Sequence, residues 1–119
     1  MSRHNETGSK GEGLALAYFL EKGYTILEQN WRTGRLEVDI IAVKNGLLHF
    51  IEVKTRTSML FGYPEENVSK KKINNLINAS EIYLQQYPQW QRIQFDVLAI
   101  QVTANNKTPE FFLIEDVYL

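Results

Sequence analysis

Asp39, Glu52 and Lys54 combine residue types that phosphodiester hydrolysis requires of a protein, and the segments carrying them are otherwise apolar. That reaction needs a divalent cation against the non-bridging oxygens, an activated water, and stabilisation of the charge that builds at phosphorus. Mg²⁺ prefers hard oxygen ligands and retains waters, so two or three carboxylates suffice. Asp39 and Glu52 supply a pair, and the Val53 backbone carbonyl beside them can add a ligand. Lys54 can contact the scissile phosphate or lower the pKa of the attacking water. Mg²⁺, or Mn²⁺ in its place, is the expected cofactor.

These groups meet only if their segments form a hairpin. Asn45-Gly46 between two apolar runs is a strong signal for a two-residue turn, which sets Lys44 against Leu47. Asp39 is then expected directly opposite Glu52, and Glu37 opposite Lys54. Side chains alternate across a strand, so all four are expected on one face together with Ile41, Val43, Leu48 and Phe50. Val38, Ile40, Ala42, Ile51 and Val53 are expected on the other. Like charges opposed at about 4.5–5.5 Å destabilise a sheet, so a fold that keeps Asp39 against Glu52 is expected to hold something between them. A lone Glu-x-Lys on a strand is usually a solvated ion pair; the register of Asp39 and two apolar faces set this one apart. Glu37 is open between an ion pair with Lys54 and a contact to metal or water.

The remaining elements follow from period and punctuation. Residues 11–22 read as a helix with Leu14, Ala15, Ala17, Tyr18 and Phe19 on a broad apolar face and Gly23 as a stop; the polar residues 1–9 are expected to be loose. Residues 24–31 read as a strand, 32–35 as a polar turn, and 36–43 and 47–56 as the hairpin strands. Residues 57–68, with Gly62 and Pro64, are expected to cross the sheet as a loop. Ile73, Leu76, Ile77, Ala79, Tyr83 and Leu84 mark a helix over 69–86 that Pro88 ends. Residues 93–102 and 110–115 form two further strands, antiparallel to each other, joined by a turn over 104–109. Two apolar faces on the hairpin call for cover on both sides, so the expectation is one α/β domain over 1–119, with a mixed five-stranded sheet and a helix on each face.

Composition narrows the class. The 119 residues suit a single domain, and 44% hydrophobic with 23% charged residues is ordinary for a globular chain. No cysteine is present, which closes disulfide and zinc-thiolate sites and fits a reducing, cytoplasmic setting. No apolar run reaches membrane-span length and residues 1–10 lack a signal-peptide core, so no membrane association is expected. Net charge is only −1, yet residues 1–72 hold 11 Lys and Arg against 9 acids while residues 73–119 hold 2 against 5. With four of those nine acids assigned to one pocket (Glu37, Asp39 and Glu52, and Glu12, considered below), the rest of the first segment is basic. Arg32, Arg35 and Arg56 are candidates for gripping a phosphate backbone, as is Lys70-Lys71-Lys72 at a helix start, where positive charge is otherwise unfavourable. Solvated surface is the competing explanation for each. His49 reads as structural, Asp96 as bonded to a backbone or basic partner, and Trp31, Tyr63 and Trp90 as packing residues.

This arrangement resembles the PD-(D/E)xK, or restriction-endonuclease-like, nuclease superfamily, and within it the small bacterial YraN family, which is similar to archaeal Holliday-junction resolvases. The likeness runs through Gly11-Glu12 and Ala15, Lys22-Gly23-Tyr24, Asn30-Trp31-Arg32, Glu37-Val38-Asp39, Phe50 to Lys54 with Arg56, Phe61-Gly62, Lys70 to Lys72 and Phe95-Asp96-Val97. It implies a three-layer α/β/α restriction-endonuclease-like fold with Asp39, Glu52 and Lys54 as the nuclease core. Glu12 matches the first-helix acid of resolvase-like members, although an acid near a helix start is also favoured by the helix dipole. Glu37 matches the acid of the family's Gly-Glu-x-Asp segment, whose glycine is Leu36 here. The implied activity is metal-dependent cleavage of DNA, including branched or structured DNA, and cutting two strands with paired sites allows a homodimer. The competing expectation is a non-catalytic nucleic-acid-binding or protein-recruiting module that retains the pocket.

Overall fold

The computed structural model describes residues 3–56, 70–102 and 108–117, with side chains from residue 10 onward. Helix α1 (Arg3–Glu21) leads into strands β1 (Thr25–Thr33), β2 (Leu36–Lys44) and β3 (Leu47–Arg56), then helix α2 (Lys70–Gln86) and strands β4 (Ile93–Gln101) and β5 (Glu110–Ile114). The strands lie in sequence order in one sheet, with every neighbouring pair antiparallel except β3 and β4, which the α2 crossover makes parallel. The expected loop over 57–68, with Phe61-Gly62 and Tyr63, falls outside the described residues, as do residues 104–107 of the expected last turn.

Each sheet face has its own core. On one side Ala15 and Phe19 of α1 pack on Ile40, Ala42, Ile51, Leu98 and Ile100; on the other Leu76, Ala79 and Tyr83 of α2 pack on Val38, Ile41, Leu48 and Phe50. The two helices therefore cover opposite faces, giving three layers. Trp31 and Trp90 belong to the α2-side core, Trp31 meeting Tyr83 edge-on at 5.1 Å. The α1 helix starts at Arg3 rather than at residue 11. Residues 3–10 carry no apolar period, but adding a turn to an existing helix is far easier than nucleating one.

The Asn45-Gly46 turn forms with both residues at positive φ, 53° and 77°. It fixes the expected register from Lys44↔Leu47 to Ile40↔Ile51. There the ladder stops, so neither Asp39 with Glu52 nor Glu37 with Lys54 is a ladder pair. The expected single-face arrangement also fails at this point. Val38 and Ile40, two residues apart, lie in different cores, and so do their β1 partners' surroundings: Trp31, opposite Val38, is on the α2 side, whereas Gln29, opposite Ile40, joins Ile40 in a crevice under α1. Between them Asn30 has φ 50°, a left-handed value that Asn tolerates better than most residues. The two strands thus kink together at Asn30 and Asp39.

Candidate functional site

The kink opens a fork between β2 and β3, and the first carboxylate sits in it. Val53 N–H donates to Asp39 Oδ2 at 2.7 Å, so a side chain replaces the backbone acceptor that continued pairing would have supplied. In an extended strand the carbonyl of a residue points to the same edge as its N–H, so the Val53 carbonyl also faces the fork. Glu12 of α1 lines the crevice beside Asp39 with Leu16, Gln29, Asn30, Ile40 and Val53. It reaches there because α1 comes onto β3 without an intervening side chain: a Cβ on Gly11 would run into the Thr55 hydroxyl.

Glu52 and Lys54 follow the parity of Phe50 and face the α2 side. There the Lys72 Nζ, on the first turn of α2, lies 3.8 Å from Glu52 Oε2. Glu37 pairs with Arg32 on β1 at 3.2 Å rather than with Lys54. The acids still sense one another. Burial first, then the Glu52 charge, raise the Asp39 carboxyl to about 7; Glu37 and Glu12 add to this and the Val53 N–H opposes it. Burial also raises Glu52, with Lys72 and Lys54 opposing. The Lys54 amine is lowered to about 8, chiefly by burial and then by the neighbouring Lys72, with Glu52 opposing.

Asp39 and the Val53 carbonyl at the fork, with Glu52 near enough for its charge to raise Asp39, offer the hard oxygen donors of a divalent cation that keeps most of its waters. Burial and mutual repulsion leave excess negative potential at Asp39, which a cation would relieve. Among the described residues no three His, Asp or Glu side chains converge closely enough to hold a metal together, so Glu12 and Glu37 act on the pair at longer range.

The expected basic residues collect at the same end of the sheet. Arg32 and Arg35 lie at the β1–β2 turn, Arg56 ends β3, and Lys70 and Lys71 are exposed at the start of α2. Lys72 differs from its two neighbours by entering the acid site. Helical spacing could have singled it out, because Lys72, Leu76, Ala79 and Tyr83 form one stripe and the last three are buried. Gln101 was also missed. It is 1% exposed, lies beside Arg56 in the β3–β4 register, and has neither amide atom hydrogen-bonded among the described residues.

His49 and Asp96 stand apart from this site. They form a buried pair, His49 Nδ1 to Asp96 Oδ2 at 2.6 Å, and Asp96 Oδ1 accepts from Gln94 Nε2 at 2.9 Å and from the Asp116 backbone N–H at 3.0 Å. Among the described residues no helix is long and apolar enough to cross a membrane.

A family model described as uncharacterised protein family UPF0102 matches residues 11–100, which includes every described member of the acid site. A UPF0102 protein of Phocaeicola vulgatus is 40% identical over 117 residues, covering 98% of this chain and 93% of the relative. One from Flavobacterium johnsoniae is 40% identical over 119 residues, with 97% and 93% covered, and one from Syntrophomonas wolfei 45% identical over 100 residues, with 83% and 87% covered. On the matched span and these relatives, the chain belongs to the UPF0102 family, the family also called YraN.

Proposed function

We propose that this protein is a metal-dependent nuclease that hydrolyses phosphodiester bonds in DNA, with branched or structured DNA as its substrate class. The observation that carries this reading is the fork itself, where a buried Asp39, its carboxyl raised by burial and by the Glu52 charge, accepts from Val53 N–H, and Lys72 Nζ stands 3.8 Å from Glu52 Oε2. Asp39, Glu52 and the Val53 carbonyl would hold Mg²⁺ or Mn²⁺, with Glu12 and Glu37 reaching it through water. When bound, the cation supplies charge neutralisation at the phosphate and lowers the pKa of a coordinated water. Lys54, its amine lowered toward neutrality, contacts the phosphate and orients the attacking water. Arg32, Arg35, Arg56, Lys70 and Lys71 hold the flanking backbone, because positive side chains at one end of the sheet attract successive phosphates.

The test is cleavage of linear, flapped, single-stranded and four-way DNA with Mg²⁺ or Mn²⁺. Activity on one of these that is lost in Glu52→Gln and Lys54→Ala, with unchanged melting, is the expected result. No cleavage of any of them, together with no cation binding by calorimetry, overturns the reading. A second reading, a DNA-binding module without turnover, is favoured by the short ligand set, since among the described residues no three His, Asp or Glu side chains are grouped to hold a metal. Salt-dependent DNA binding with no product would establish it. Sedimentation analysis decides whether two copies pair to cut two strands.

A further inference from the structure

The three lysines that open α2 are not equivalent. All three are exposed, but Lys72 continues the stripe of Leu76, Ala79 and Tyr83 that faces the sheet, and its ammonium stands against Glu52. We propose that Lys72 is a resident counter-ion, which neutralises Glu52 in the metal-free protein and yields that carboxylate to an arriving divalent cation, so that cation and nucleic-acid phosphate bind cooperatively. This rests on the nuclease reading for its second half only.

Three observations argue for it. At 3.8 Å the Lys72–Glu52 contact is longer than the 2.7–2.9 Å of a charge-assisted hydrogen bond, and Lys72 is 45% exposed, so this contact by itself is weak. Second, in the absence of metal Lys72 and Lys54 are the positive charges set against Glu52. A divalent cation that takes Glu52 upsets that balance and leaves two ammonium groups beside a neutralised carboxylate. A phosphodiester is the anion that restores it, and linkage requires each ligand to strengthen the other. Third, Lys72 acts on the Lys54 amine as well as on Glu52, so the two ammonium groups repel each other once a cation has taken the glutamate.

The experiment is calorimetric titration of the full chain with Mn²⁺, without nucleic acid, for the native sequence, Lys72→Met, Lys72→Arg and Lys71→Met. Methionine keeps an unbranched apolar stem and removes the charge. Lys72→Met is expected to bind Mn²⁺ about three- to tenfold more tightly, with the metal-free protein melting a few degrees lower and the Mn²⁺-saturated protein less affected. Lys72→Arg and Lys71→Met stay near the native affinity. Native and Lys72→Met chains that bind Mn²⁺ equally well overturn the proposal and leave the nuclease reading intact. Tighter binding in Lys72→Met, with no DNA cleaved by the native chain, upholds the counter-ion and overturns the nuclease. If neither chain binds Mn²⁺, both fall.

Discussion

The two ends of the β2–β3 pair treat buried polar groups in opposite ways. At the hairpin end the ladder is complete, and the most buried acid, Asp96, accepts from an imidazole, a side-chain amide and a backbone N–H. At the fork the ladder is abandoned, Asp39 takes a single strand N–H while facing other acids, and Gln101 nearby has no hydrogen-bond partner among the described residues. Satisfied buried groups hold a fold together, and groups left wanting a partner mark where a ligand is to come. One sheet thus carries an anchored end and an end kept under electrostatic tension.

The largest test of that contrast is at the anchored end. Asp96→Ala leaves the His49 ring, the Gln94 amide and the Asp116 N–H without their acceptor, and should destabilise by about 3–5 kcal/mol in urea unfolding. A loss below about 1 kcal/mol would erase the difference between the ends.

At the fork the sign reverses. The Asp39 carboxyl sits at about 7 in the folded protein against 3.8 ordinarily. As pH rises between those values the unfolded chain gives up its proton while the folded chain keeps it, so metal-free stability falls across that window and levels off above it. Asp39→Asn should flatten this decline and raise metal-free stability at pH 8 by on the order of 2 kcal/mol, since the amide oxygen still accepts from Val53. A native stability profile level from pH 4 to pH 7 would contradict the tension ascribed to this end.

Two smaller effects sharpen the comparison. Gly11→Ala forces a methyl against the Thr55 hydroxyl, and should cost about 1–2 kcal/mol while loosening Glu12 from the crevice. Gln101→Leu removes two polar atoms without a partner among the described residues, and should leave the unfolding free energy unchanged or raise it by up to about 1 kcal/mol. A clear fall would mean that the amide holds the strands together after all.

Much of this architecture is legible in the chain, for reasons that differ by element. Asn45-Gly46 demands a turn with two positive φ values, and that demand carries the register of ten residues with it. Pro88 and the stripe through Leu76, Ala79 and Tyr83 mark α2 to within a residue. The fork is another matter. Strict alternation along 38–40 puts Val38 and Ile40 on one face, and only Asn30, across the sheet, hints that both strands turn over at that level. A kink shared by two strands is a tertiary event, and no local pattern in either strand encodes it. Lys72 was visible as a charge but hidden in a run of three, where its neighbours suggest one common role.

Because the Asp39 carboxylate substitutes for a strand, a single backbone proton reports on the whole centre. The Val53 amide hydrogen is shared with whatever ionisation or coordination Asp39 undergoes. Its nuclear magnetic resonance would drift as the acid is neutralised and jump when a cation draws the oxygen away. Read this way, one peak in a spectrum of the unmodified protein follows occupancy without substrate, label or turnover.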